Sequence, residues 1–256
     1  MLGARRMLRF AIGIALVARV ANAACSDVDH RHEAWSAILG RSVANGRVDY
    51  AGLKRDGQAP LSAYLAGLSG ACAADYERWS KEQRIAFWIN AYNAFTVSQV
   101  LEHYPIASVR KIGWLPGSAF RREYIPMKGL KGKTISLDDI EHETLRKDFR
   151  EPRIHFALVC AARSCPPLRA EAYRAADLDR QLDDQGRTFL RDRGKNRFEP
   201  ATNTLHLSSI FHWFRPDFDA VDGKLLGFVS RYLEDARATA PGVKIEFLDY
   251  DWSLND

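Results

Sequence analysis

The sequence predicts an α+β fold, with helices packed around a small mixed or antiparallel sheet in a single compact domain. Three observations carry this. One long segment, residues 84–103, is apolar nearly all round and reads as a buried central helix. Strand candidates are few and short beside the helical segments. There is no internal repeat and no low-complexity linker. At 256 residues, 46% hydrophobic and 27% charged, the chain has the composition of a globular protein with a sizeable core.

The N-terminus is read apart from that fold. Arg5, Arg6 and Arg9 form a basic n-region, Phe10 to Ala18 an apolar h-region, and Ala21-Asn22-Ala23 an A-x-A cleavage site. Residues 1–23 are therefore expected to be a secretory signal, and residues 24–256 an exported, soluble, periplasmic or extracellular domain. The h-region is too short for a good spanning helix, and no later stretch is apolar enough to cross a bilayer. A lipid anchor at Cys25 would call for an aliphatic residue where Asn22 stands. Four of the 37 basic residues lie in 1–23, which contains no acid. The remaining 33 against 32 acidic residues leave a net charge of +1. The pI of about 9.0 thus belongs largely to the targeting segment and makes no case for nucleic-acid binding. Export also makes the four cysteines disulfide candidates. Two local pairs, Cys25 with Cys72 and Cys160 with Cys165, are the simplest of three connectivities, and the sequence does not choose among them.

In chain order, residues 24–75 read as a helical lead-in to a core over 76–256, with short helices near Glu33–Leu39 and Leu61–Leu68. His30 and His32 read as a solvated terminal pair, having no nearby partner ligands. Ser80 and Gln83 form a capping box that opens the central helix, and Pro105 ends it. On that buried helix Asn90 and Asn93 must find hydrogen-bond partners. They either tie the helix to a loop backbone or orient a catalytic group. Residues 106–133, rich in Gly, Pro, Lys and Arg, read as a long loop or irregular hairpin. Gly132-Lys133-Thr134 resembles the end of a phosphate-binding loop, but Met127 stands where the first glycine is required, and no cofactor is expected. Ser136 starts another helix, which carries Glu141-His142-Glu143 and reaches about Lys147. Arg146 occupies the place of the second histidine of a zinc-protease motif. Ile154 to Val159 is a buried strand candidate. Asp177 to Leu190 is an amphipathic helix, Phe198 to Leu207 a hairpin turning at Ala201-Thr202-Asn203, and Lys224 to Ala236 a further helix. Ser208 caps a short helix through Trp213, and Val243 to Leu248 alternates like a strand.

The chemistry concentrates around Cys160. A thiol at the end of a buried strand, followed by a turn, can face a cleft with backbone amides as oxyanion donors. It needs a base. On a regular strand His155 points to the face opposite Cys160, which makes His142 a rival, with Glu141, Asp217 or Asp251 as its orienter. Other readings stay open: redox exchange between Cys160 and Cys165, a zinc site from Glu141, His142, His155 and Cys160, or a non-catalytic binding or structural domain.

Five blocks then bring a resemblance: Phe87-Trp-Ile-Asn90-Ala-Tyr-Asn93-Ala, Asp139-Ile-Glu-His142, His155-Phe-Ala-Leu-Val-Cys160-Ala-Ala-Arg-Ser-Cys165-Pro-Pro, Ser208-Ser-Ile-Phe-His-Trp213 and Tyr250-Asp-Trp-Ser-Leu-Asn255. In this order, over about residues 47–255, they resemble the family called "domain of unknown function 547". The resemblance supplies no reaction. It places Asn90, Asn93, Glu141, His142 and His155 on motif positions. In plant members the position matching Cys165 is often not cysteine, whereas that matching Cys160 usually is, which implies a lone functional thiol. The expectation is a thiol-dependent hydrolase or acyl transferase acting on an unidentified small molecule or peptide. Cys160 would be the nucleophile, His142 or His155 the base, and Asn90, Asn93 or a backbone amide the oxyanion donor.

Overall fold

The computed structural model describes residues 25–115, 117–221 and 223–256, so the expected signal over residues 1–23 lies outside them. The fold is α+β. Helices Glu33–Ser42 and Gln58–Ser69 flank a two-stranded hairpin, β1 (Val43–Ala44) with β2 (Arg47–Val48). The central helix follows at Lys81–His103, and its N-terminus carries the expected capping box between Ser80 and Gln83. A second hairpin pairs β3 (Ile125–Met127) with β4 (Lys133–Ile135). The remaining sheet has three strands: β6 (Thr204–Ser208) lies between antiparallel β5 (Arg197–Glu199) and parallel β7 (Lys244–Leu248). No helix among the described residues is long and apolar enough to cross a membrane.

The all-round apolar character of the central helix has a direct cause. Ile85, Phe87, Trp88 and Ile89 in its N-terminal half feed one core cluster, and Ala94, Val97, Val100 and Leu101 in its C-terminal half feed a second. A third cluster covers the three-stranded sheet, with Phe156 and Phe218 in ring contact with each other and each with Phe211 and Phe228. Residues 250–255 stitch the chain together. Ser253 bridges Ser108, Leu254 bridges Ala162, and Asn255 accepts the Tyr50 hydroxyl at 2.9 Å.

Several expectations are corrected. Ile154 to Val159 is not a strand: Pro152–Phe156 form a 3-10 turn, with Pro152 in its first turn. Arg153 pins the turn through ion pairs to Glu151 and Asp183. Beyond it, an asparagine takes the place of a neighbouring strand. Asn93 donates to the Ala157 carbonyl and accepts from the Val159 N–H, each at 2.9 Å. Asn90 does the same to Tyr173, donating to its carbonyl at 2.7 Å and accepting from its N–H at 3.0 Å. His30 and His32 are not a solvated pair. His32 is buried, with Nδ1 2.8 Å from the Tyr64 hydroxyl, and His30 packs edge-on against Trp79. The helix expected over 224–236 is only Leu225–Ser230, followed by a 3-10 turn at Ala236–Thr239.

Candidate functional site

The helix that starts at Ser136 is capped by a reciprocal Ser136–Asp139 box, runs as α-helix over Leu137–Ile140 and continues as π-helix over Glu141–Phe149. A π-helix is rare and recurs at functional sites, because the wider turn re-aims side chains. Here it directs Glu141 and His142 to a cleft of about 180 Å³. The 3-10 turn brings His155 to the same cleft, and the segment after it brings Cys160. The facing argument that separated His155 from Cys160 fails because there is no pleat. Among the described residues Cys160 and Cys165 are bonded to each other, and Cys25 to Cys72, which is the local pairing. The Cys160–Cys165 bond forms part of the cleft wall. Cys160 is half-buried, Cys165 is buried, and Ala161 between them has φ 61°, a left-handed conformation that costs a non-glycine residue about 1–2 kcal/mol.

Around the sulfurs the donors are specific. The Cys160 N–H points to Cys165 Sγ at 3.0 Å, and the Tyr250 hydroxyl lies 3.2 Å from Cys165 Sγ and 3.3 Å from Cys160 Sγ. Burial raises the Tyr250 pKa well above its ordinary value, so this hydroxyl is a donor and not a base. Among the described residues neither histidine is hydrogen-bonded to a sulfur.

The histidines are committed elsewhere. Arg146 grips Asp217 with two nitrogens, Nε at 2.6 Å and Nη2 at 3.0 Å, and these bonds with that from His155 hold the Asp217 carboxyl well below its usual range despite burial. Asp217 is therefore an acceptor, and His155 Nε2 donates to it at 2.8 Å. His155 Nδ1 then carries the lone pair and faces Glu141 Oε1 at 3.7 Å. The ring is buried and stacks on Phe214 at 4.0 Å, and burial, outweighing Asp217, depresses its pKa. Burial foremost, then the charge of Asp138, pushes the Glu141 carboxyl up to about 7, against the opposing effect of Arg146. His142 accepts from Arg146 Nη1 at 3.0 Å through Nδ1, which leaves its Nε2 proton facing Asp138 at 4.0 Å. His142 is half-buried, and burial lowers its pKa.

This arrangement is an Arg146–Asp217–His155 relay ending at a carboxyl that titrates near neutrality, in a cleft that the sulfur pair also lines. Glu141, not a histidine, is the titratable group at the end of the line. Asp217 orients His155 rather than His142. Asp251 is exposed, accepts from the Ser253 N–H and does not line the cleft. Asn90 and Asn93 hold backbone and do not line the cleft. Sequence reasoning missed Tyr250, Asp138 and Tyr92 as cleft residues, and read Arg146 only as a missing ligand. One signal for part of this was present: Asp138, His142 and Arg146 stand four apart on one helical face. Among the described residues no group of three or more His, Cys, Asp and Glu is arranged to hold a metal ion, so Glu141, His142, His155 and Cys160 do not form a ligand set.

The family model described as "Protein of unknown function, DUF547" matches residues 76–190, a span that contains Asn90, Asn93, Glu141, His142, His155 and both sulfurs of the cleft. Comparison with curated proteins and with solved structures gave no match.

Proposed function

We propose that this chain, a DUF547 protein over residues 76–190, is a thiol-dependent hydrolase or acyl transferase whose Cys160–Cys165 disulfide is its oxidised resting form. The observation that carries this reading is the placing of a half-buried sulfur and a carboxyl that titrates near 7 in one cleft. After reduction by an external thiol, the Cys160 thiol gives its proton to Glu141, and the thiolate attacks a substrate carbonyl. The bond to the leaving group breaks, and the leaving group takes the proton back from Glu141. Water or a second acceptor then cleaves the thioester and frees Cys160. The Tyr250 hydroxyl supplies a hydrogen bond to the sulfur or to the developing oxyanion. His155 and Asp217 are positioning residues that hold the proton acceptor in place. The two disulfides support export to an oxidising compartment.

A second reading is thiol–disulfide exchange, favoured by the bond itself. An incoming thiolate attacks Cys160 Sγ, the Cys160–Cys165 bond breaks, and Cys165 leaves as a thiolate stabilised by the Cys160 N–H and the Tyr250 hydroxyl. Turnover of ester, thioester and mixed-disulfide probes by the reduced protein separates the two. Acyl chemistry is lost in Cys160→Ser and kept in Cys165→Ser, whereas resolved exchange is lost in both. If Cys160→Ser leaves every turnover unchanged, both readings fall and the cysteines are structural in a binding domain.

A further inference from the structure

We propose that the loop between Val109 and Arg122 docks the protein onto the surface of an anionic lipid bilayer, with Trp114 and Leu115 entering the interfacial layer. Trp114 is 101% exposed and its neighbour Leu115 is 68% exposed, and among the described residues the other exposed large apolar side chain, Trp213, lies in the cleft. Scattered single apolar residues need no explanation, but two adjacent and largely exposed ones do. The turn is built to present them. Gly113 at φ 82° and Gly117 at φ 78° take left-handed backbone at its two ends. A Cβ on Gly113 would lie 2.4 Å from that of Ser118. The Ser118 hydroxyl accepts from the Leu115 N–H at 3.1 Å and donates to its carbonyl at 2.7 Å. Ile112 and Ala119 anchor the base in the core.

The segment that carries this loop is predominantly basic. Residues 106–133 contain seven Lys and Arg against the single acid Glu123, and all seven are exposed. The other residues of 24–256 hold 26 basic against 31 acidic residues, so the positive charge of 24–256 is concentrated in this one region while the remainder is net negative. Lys133 spends part of its charge on Glu123 and Asp139. Exposed Arg110 and Lys111, in the same loop as the protruding indole, fit a headgroup layer with anionic lipid, where tryptophan sits at the interface and lysine and arginine meet the phosphates. Nucleic acid would use the charge but not the leucine, and an acidic protein partner would not need a convex apolar tip.

The loop is joined to the cleft. Phe120 lines it, the Arg110 guanidinium lies 5.6 Å over the ring of Trp252, another lining residue, and the Ser108 hydroxyl donates to the Trp252 carbonyl. Docking through this loop brings the cleft near the bilayer, whatever chemistry the cleft performs.

The test is co-sedimentation of the full chain with phosphatidylcholine vesicles, with and without phosphatidylglycerol. Wild type should partition about tenfold more strongly onto the anionic vesicles, and added salt should weaken that binding. The double variant Trp114→Ala, Leu115→Ala should lose about tenfold in partitioning. The charge variant Arg110→Glu, Lys111→Glu should lose the preference for anionic lipid. A blue shift of tryptophan emission on binding should be present in wild type and absent in Trp114→Ala. All variants share residues 1–24, so vesicle binding by that apolar segment is common to them and cancels in the comparison. Equal partitioning by wild type and the double variant would overturn the proposal. So would capture of an acidic protein or an oligonucleotide through this loop without vesicle binding.

Discussion

Replacing Glu141 with glutamine should change how stability depends on pH by an amount the structure fixes. The Glu141 carboxyl titrates at about 7 in the fold against 4.5 unperturbed, chiefly because it is buried. Between these values the folded state binds more protons than the unfolded state, so stability falls as pH rises through the window. At 1.36 kcal/mol per unit the total is about 3 kcal/mol. Its side chain is only 12% exposed, so little of this is lost to solvent screening. Glutamine carries no such proton. The stability of Glu141→Gln minus that of wild type should therefore rise by about 3 kcal/mol from below pH 4.5 to above pH 7. Urea denaturation at a series of pH values measures this. His155, whose lowered pKa acts with opposite sign, is common to both proteins and largely cancels in the difference. A difference that stays flat across the window would show that Glu141 is ionised at neutral pH, and the proton inventory of the cleft would be wrong.

Asn93→Ala should destabilise the fold by about 2–5 kcal/mol, since it strands the Ala157 carbonyl and the Val159 N–H in the core. A loss below about 1 kcal/mol in chemical denaturation would refute the clamp. The two disulfides should differ. Removing Cys25–Cys72, which spans 47 residues, should cost about 4 kcal/mol, against about 2 kcal/mol for Cys160–Cys165, which spans five. Denaturation of Cys25→Ser, Cys72→Ser beside Cys160→Ser, Cys165→Ser checks the order, and a reversed order would mean that the cleft disulfide is the structural one.

Helices with their own local signals were legible before the structure: the Ser80 and Ser136 capping boxes, the amphipathic segment that became Leu178–Arg191, and the hairpin turning at Ala201-Thr202-Asn203. The segment 154–159 was not legible. Its apolar run fits a buried strand as well as the buried turn it forms. What decides is Asn93, 64 residues before Ala157, which takes the hydrogen bonds that a strand would give its neighbour. The cleft was half legible. Cys160, Glu141, His142 and His155 do gather there. Their partnerships depend on the π-helical turn at Glu141 and on the arrival of Asp217 and Tyr250 from far along the chain, which periodicity does not encode.

The most direct measurement is the alkylation rate of Cys160 in the reduced protein as a function of pH, with the modified cysteine located by mass spectrometry, in wild type and in Glu141→Gln. If Glu141 accepts the thiol proton, the wild-type profile inflects near 7, where that carboxyl titrates, and the inflection disappears in Glu141→Gln. A single inflection at the ordinary thiol value of about 8.5 in both proteins, or a Cys160 that does not react, would contradict it.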